Sequence, residues 1–192
     1  MQVQLLTLEA LRPDLARFGR RDFVEHYPGA FLLAMGFLSA EEIRAQRKRR
    51  DASGRDIDAT TALRFAPTLR HEAGEAHPLA GCAFHLRPDH GNDPVSVGRA
   101  QSCNVTIPDA GVSERHCRIE LRDDGVMVVD EHSTNGTTIN LERLEAGQGR
   151  LLADEDILSV GRYSFQMLSA ATFYVEIQPV AVDLLHDFPE DP

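Results

Sequence analysis

The apolar positions change their period near residue 78, and that change divides the chain. Before it, Leu8, Leu11, Leu15 and Phe18 recur at helical spacing. Pro13 interrupts them, so the pattern predicts a helix that carries Pro13 in its first turn, where a missing N–H costs little, and runs to about Phe18. Phe23, Val24 and Tyr27 predict another short amphipathic piece, stopped by Pro28-Gly29. The run Ala30 to Leu38 is apolar without clear period and fits a buried strand or a buried helix. Ser39-Ala40-Glu41-Glu42 reads as a capping box opening a helix through about Arg50. The basic end of that helix, Arg44, Arg47, Lys48, Arg49 and Arg50, suits the negative pole of its dipole. From Asp51 to about His77 the chain is polar and turn-rich, as in a linker or arm.

After residue 78 the period becomes two. Cys103, Val105 and Ile107 alternate with Asn104 and Thr106, and Cys117, Ile119 and Leu121 alternate with Arg118, Glu120 and Arg122. Asp124-Gly125 is a hairpin-turn signal ahead of Val126 to Val129. Leu151-Leu152, Ile157 to Val160 and Tyr163 to Leu168 follow, with Gly147, Gly149 and Gly161 between or beside them. Short strands at this spacing predict a mainly β fold, an antiparallel β-sandwich, with a smaller helical or irregular N-terminal extension. Phe173 to Ile177 reads as a final strand or a short returning helix. The expected organisation is 1–50 a helical segment, 51–78 an arm, 79–178 the sandwich and 179–192 a tail.

Composition narrows the function. The net charge of −10 argues against a general nucleic-acid binder, which needs a broad basic surface. No apolar run approaches the roughly 20 residues of a membrane span, so no membrane partner is expected, and no secretory signal opens the chain. The three cysteines form no CxxC pair, which predicts reduced thiols and a cytoplasmic setting. No metal site or cofactor is expected: no histidine pair stands with two cysteines at zinc spacing. Ser113, His116 and Asp130 hold the residue types of a hydrolase triad, but no G-x-S-x-G elbow accompanies them, and no catalytic residue is expected.

A series of motifs does point to a function. Val97-Gly98-Arg99 precedes the strand pattern Cys103 to Ile107, then come Val112-Ser113-Glu114-Arg115-His116 and, from Asp130, Ser133-Thr134-Asn135-Gly136-Thr137. The series ends in Leu152 to Gly161. In this order, from Leu79 to Leu168, the chain resembles the forkhead-associated (FHA) domain, and specifically a small bacterial FHA protein with an N-terminal helical extension. The resemblance implies a non-catalytic β-sandwich whose loops hold a phosphothreonine peptide, in a protein that is not an enzyme and mediates phosphorylation-dependent protein–protein interaction. Its partner would be a threonine-phosphorylated protein or peptide, with a Ser/Thr kinase as a second partner. Phosphothreonine brings about −1.5 to −2 charges and three strong acceptors, and Arg99 offers a permanently charged donor fork. The resemblance assigns the phosphopeptide contacts to Arg99, Ser113, Arg115, Thr134 and Asn135, and the structural roles to Gly98, His116 and Gly136.

Two departures bear on the chemistry. Glu114 stands where many members carry a basic or amide residue; turned inward, it would repel a phosphate, and Arg115 beside it would offset that. Asn140-Leu141 stands where members often have Asn-Gly. Two further readings follow. In one, the fold is a scaffold that has lost phosphate binding. In the other, Thr60 or Thr61 in the arm is phosphorylated and binds the module in a self-inhibited regulator.

Overall fold

The computed structural model describes residues 3–38, 40–45, 79, 81–87 and 93–183. Two sheets face each other. The first has seven strands in the order β1-β3-β2-β12-β11-β8-β9, and the second five, β10-β7-β6-β4-β5. The strands of the first sheet are β1 (Gln4–Thr7), β2 (Ala30–Gly36), β3 (Cys82–Leu86), β8 (Thr137–Ile139), β9 (Glu142–Arg143), β11 (Ile157–Val160) and β12 (Tyr163–Ser169). Those of the second are β4 (Val95–Gly98), β5 (Val105–Thr106), β6 (Cys117–Arg122), β7 (Gly125–Asp130) and β10 (Gly149–Leu152). The pairings are antiparallel except β4 with β5, which run parallel, so the sandwich is mixed at that edge.

The expected helical segment 1–50 contributes two strands to the sandwich. β1 pairs with β3, and β2 lies between β3 and β12. The run Ala30 to Leu38 lacks a period because both faces of β2 are covered. Leu32 and Ala34 join the core between the sheets with Phe84, Val97, Ile119, Val128, Leu158 and Phe165. Phe31, Leu33 and Met35 point the other way, under helices α1 (Leu8–Arg17), α2 (Arg20–His26) and α4 (Ala170–Asp183). Phe31 stacks on Phe173 of α4 with ring centroids 3.9 Å apart. The strands at 4–7 and 30–36 therefore belong to the sandwich expected to begin at residue 79.

Local chemistry sets the helix ends. α1 starts five residues before Pro13, because the Thr7 hydroxyl accepts the Ala10 N–H at 3.1 Å and caps the helix there. Pro13 thus sits inside the helix, not in its first turn, at the cost of one backbone bond. The Tyr27 hydroxyl, just past α2, donates to Asp14 of α1 and fastens the two helices together. Residues 40–45 form a further helical stretch, α3, with Ile43 buried. Ser39, the basic run 46–50, the arm 51–78 and its Thr60 and Thr61 lie outside the described residues. The segment 173–177 is helical, and α4 continues to Asp183, into the expected tail.

In a strand with one wet face, only one of two adjacent leucines would matter. Here Leu32 and Leu33, 1 % and 3 % exposed, fill different cores. Each of Leu32→Ala and Leu33→Ala is expected to lower unfolding free energy by about 2–5 kcal/mol, measured by urea denaturation.

Candidate functional site

The site lies on the loops at one end of the sandwich, joining β4 to β5, β5 to β6 and β7 to β8. Arg99 follows β4 directly, and its loop is strapped to the next. The Arg99 N–H donates to the Ser113 carbonyl at 2.9 Å and the Ala100 N–H to the Glu114 carbonyl at 3.1 Å. Gly98 makes this approach possible. A Cβ there would overlap the Glu114 carbonyl oxygen and lie 2.9 Å from its carbon; only glycine lets the two backbones meet.

His116, fully buried, ties that loop to the one after β7. Its Nδ1 accepts the backbone N–H of Ser113 at 3.1 Å, and its Nε2 stands 3.2 Å from the Gly136 carbonyl. An accepting Nδ1 requires the neutral ring with its proton on Nε2, which then donates to Gly136. Burial lowers the imidazole pKa below 6.5, although the Gly136 carbonyl and the Asp130 carboxylate pull it upward. Gly136 has φ +83°, and the Arg143 guanidinium lies over it in the place a Cβ would fill.

Asp130, at the end of β7, holds the 131–136 loop from inside. Its carboxylate accepts the Ser133 N–H at 3.0 Å, the Ser133 hydroxyl at 2.6 Å and the Thr137 hydroxyl at 2.6 Å. Burial alone would raise this carboxyl's pKa, but the Ser133 and Thr137 bonds outweigh burial and hold it below the usual carboxylate value. On the outer side the loops meet through side chains. Ser113 Oγ accepts the Thr134 N–H at 3.0 Å and donates to Thr134 Oγ1 at 3.3 Å. Asn135 Nδ2 donates to the Gly111 carbonyl at 2.7 Å.

Arg99, Ser113, Thr134 and Asn135 therefore stand on three adjoining, bonded loops. The Arg99 guanidinium donates from Nε to the Val112 carbonyl at 3.3 Å and lies 3.8 Å from Glu114 Oε1. Both side chains are well exposed, 46 % and 76 %, so this contact is solvent-screened. Arg115 behaves differently: its Nε bonds Glu131 at 3.1 Å, and Arg118 shares the same carboxylate. In this arrangement its guanidinium is paired with Glu131 and not with Glu114.

Ser113, His116 and Asp130 do not form a nucleophile–base relay. The bond from Ser113 to His116 comes from the backbone amide, the Ser113 hydroxyl is turned to Thr134, and Asp130 is bonded to Ser133 and Thr137. Among the described residues no group of three or more His, Cys, Asp or Glu side chains could hold a metal ion, and no helix is long and apolar enough to cross a membrane. Two residues outside the motifs also belong to the site's surroundings: Asp109, which reaches it through Gly111, and Arg143 over Gly136. The turn string Pro108-Asp109-Ala110-Gly111 was the available signal for the first; nothing local signals the second.

The family model of the FHA domain matches residues 95–161, from β4 to the turn after β11. The chain is 42 % identical over 67 residues to the FHA domain-containing protein FhaA of Mycobacterium tuberculosis, covering 34 % of this chain and 12 % of that one. It is 34 % identical over 76 residues to the probable serine/threonine-protein kinase fhkA of Dictyostelium discoideum, covering 35 % and 13 %. With the glycogen accumulation regulator GarA of Mycolicibacterium smegmatis it shares 30 % identity over 92 residues, 48 % of this chain and 54 % of that protein. The chain thus spans a small part of the first two relatives and about half of the third. Among solved structures, the FHA domain of an Arabidopsis thaliana hypothetical protein is 31 % identical, with 48 % and 77 % coverage and a TM-score of 0.44. The N-terminal FHA domain of S. cerevisiae Rad53p, solved with a phosphothreonine peptide, is 26 % identical, with 43 % and 72 % coverage and a TM-score of 0.39. With its glycine-backed loop contact, buried imidazole bridge and matching motif series, the segment 95–161 of this chain is an FHA domain.

Proposed function

We propose that this chain is a non-catalytic reader of phosphothreonine peptides that joins a threonine-phosphorylated partner to its own assembly in a cytoplasmic setting. A Ser/Thr kinase that phosphorylates the partner is part of the same reading. The observation that carries it is the junction of three loops, where the charged Arg99 fork stands on the strap to Ser113 and Ser113 is bonded to Thr134. A phosphate there meets a permanent cation and two hydroxyls, groups suited to charge-assisted recognition of a dianion. Asn135 completes the site. Because Gly111 takes one Nδ2 proton, the amide's orientation is fixed, leaving Oδ1 to accept a peptide N–H and the second Nδ2 proton to donate to a peptide carbonyl.

The contact of Glu114 with Arg99 favours a second reading, a scaffold in which phosphate binding is weakened. The carboxylate competes for the guanidinium that a phosphate needs, but at 76 % exposure it swings away at small cost.

Affinity measurements separate these readings. An oriented phosphothreonine-peptide library, followed by titration of the best sequence, is expected to give binding to the wild type and a loss of at least about tenfold in Arg99→Ala, since a charge-assisted bidentate contact contributes about 1.5–3 kcal/mol. Absence of binding by both proteins would establish the scaffold. Glu114→Gln is expected to tighten binding by roughly two- to fivefold, the range of an exposed ion pair, and less at high salt.

His116 adds a pH dependence. Its folded-state pKa lies below the unfolded value of 6.5, so the unfolded chain binds the extra proton first. The stability this ring contributes is complete above pH 6.5 and is lost as pH falls through the folded value. Phosphopeptides also titrate near pH 6, so the peptide-free protein is the one to measure. Its melting temperature is expected to drop between about pH 7.5 and 5.5, with a shallower slope in His116→Gln.

A further inference from the structure

Outside the phosphate contacts, one chain of interactions links the inserted strand to the recognition loops. Phe37 follows β2 directly and packs against the inter-sheet core. Its ring is covered by the Arg162 guanidinium, 4.4 Å from the centroid, and meets Tyr163 edge-on at 5.0 Å. Arg162, in the β11–β12 turn, donates from Nε and a terminal nitrogen to Asp109 Oδ2 at 2.9 and 2.7 Å. The Tyr163 hydroxyl donates to the same oxygen at 3.0 Å. Asp109 Oδ1 accepts the Gly111 N–H at 2.7 Å, and the Gly111 carbonyl accepts Asn135 Nδ2. Gly161, next to Arg162, presses on the same place: a Cβ on it would stand 3.0 Å from the Gly111 carbonyl oxygen. Every link from Phe37 to the Asn135 amide is a direct contact.

We propose that Arg162 and Asp109, buttressed by Phe37, are positioning residues for peptide binding, fixing the Gly111 carbonyl and through it the orientation of the Asn135 amide. The physical reason is geometric. An amide is a two-ended reader, and one turned over presents N–H groups where an acceptor is required. The Gly111 carbonyl decides which end faces outward, and its place is set by an aspartate bonded on both oxygens. Phe37 stands between β2 and α3, so the segment inserted between β3 and β12 acts on the same amide. This pair does not touch the phosphate; its effect is on how the peptide backbone is held.

The inference rests on the phosphothreonine-peptide reading, and its test separates the two. Arg162 is exposed, so Arg162→Gln leaves the core intact. In the peptide-free protein the variant is expected to shift the Asn135 side-chain amide resonances and speed their exchange with solvent, with Arg162→Lys restoring part of both. With the best library phosphopeptide, Arg162→Gln is expected to weaken binding roughly fivefold, a typical coupling for residues in one network. In an Asn135→Ala background the same substitution is expected to cost nothing further. An equal loss in both backgrounds, or unchanged Asn135 resonances, would overturn the positioning role. Failure of every protein to bind peptide would overturn the binding reading while leaving the resonance test to decide this one.

Discussion

The site depends on one buried ring being neutral. His116 has room for a single proton: Nδ1 must accept from Ser113 and Nε2 must donate to Gly136, and nothing near the ring carries enough charge to reverse burial's preference for the uncharged form. That one tautomer holds the β5–β6 loop against the β7–β8 loop. The contact between Ser113 and Thr134 on the outer surface then follows, since the backbones are already fixed behind them. Gly98 does the complementary work on the other side, where the absence of a side chain lets Arg99 and Glu114 come together. Recognition loops gain precision when the groups holding them belong to the sandwich itself, and both of these residues do.

How much of this was legible depended on whether a residue's environment was set locally. Strands β4 to β6 alternate because one face meets the core and the other is more open to water, and that alternation is written in adjacent residues. β2 carries no such trace: covered by a sheet partner layer on one side and three helices on the other, its residues are all apolar and the period vanishes. The start of α1 was missed for a related reason. A rule that seats proline in the first turn competed with a threonine cap six residues earlier, and burying Leu11 and Leu15 on one helix favoured the cap.

The site shows the same division. Arg99, Ser113, Thr134 and Asn135 are placed on three loops by the order of short motifs between the strands. Their partners are not. Glu131 bonds Arg115 across 16 positions, and Arg162 meets Asp109 across 53, relations that exist only once the sandwich closes. Leu141 is another such case: as the second residue of the β8–β9 turn it adopts φ +72°, a conformation costing a non-glycine residue about 1–2 kcal/mol, beside an Asn140 fixed by Asp156 and Ile157. The strands impose the turn, and the residue follows.

The acidic background then has a simple consequence. A net charge of −10 spread over the chain is screened beyond roughly 8 Å at physiological salt, so the field at the pocket is set by its nearest charges. Arg115 is paired with Glu131, which Arg118 shares, and Arg162 with Asp109, while Arg99 has a weak and exposed contact with Glu114 and Arg143 lies over Gly136. Attraction at a distance is therefore small, and selection falls on what is met at contact: a donor fork, hydroxyls on facing loops and one oriented amide. In the proposed reader, discrimination would rest on contact geometry more than on long-range charge, and the residues that hold the loops would bear on binding together with those that touch the peptide.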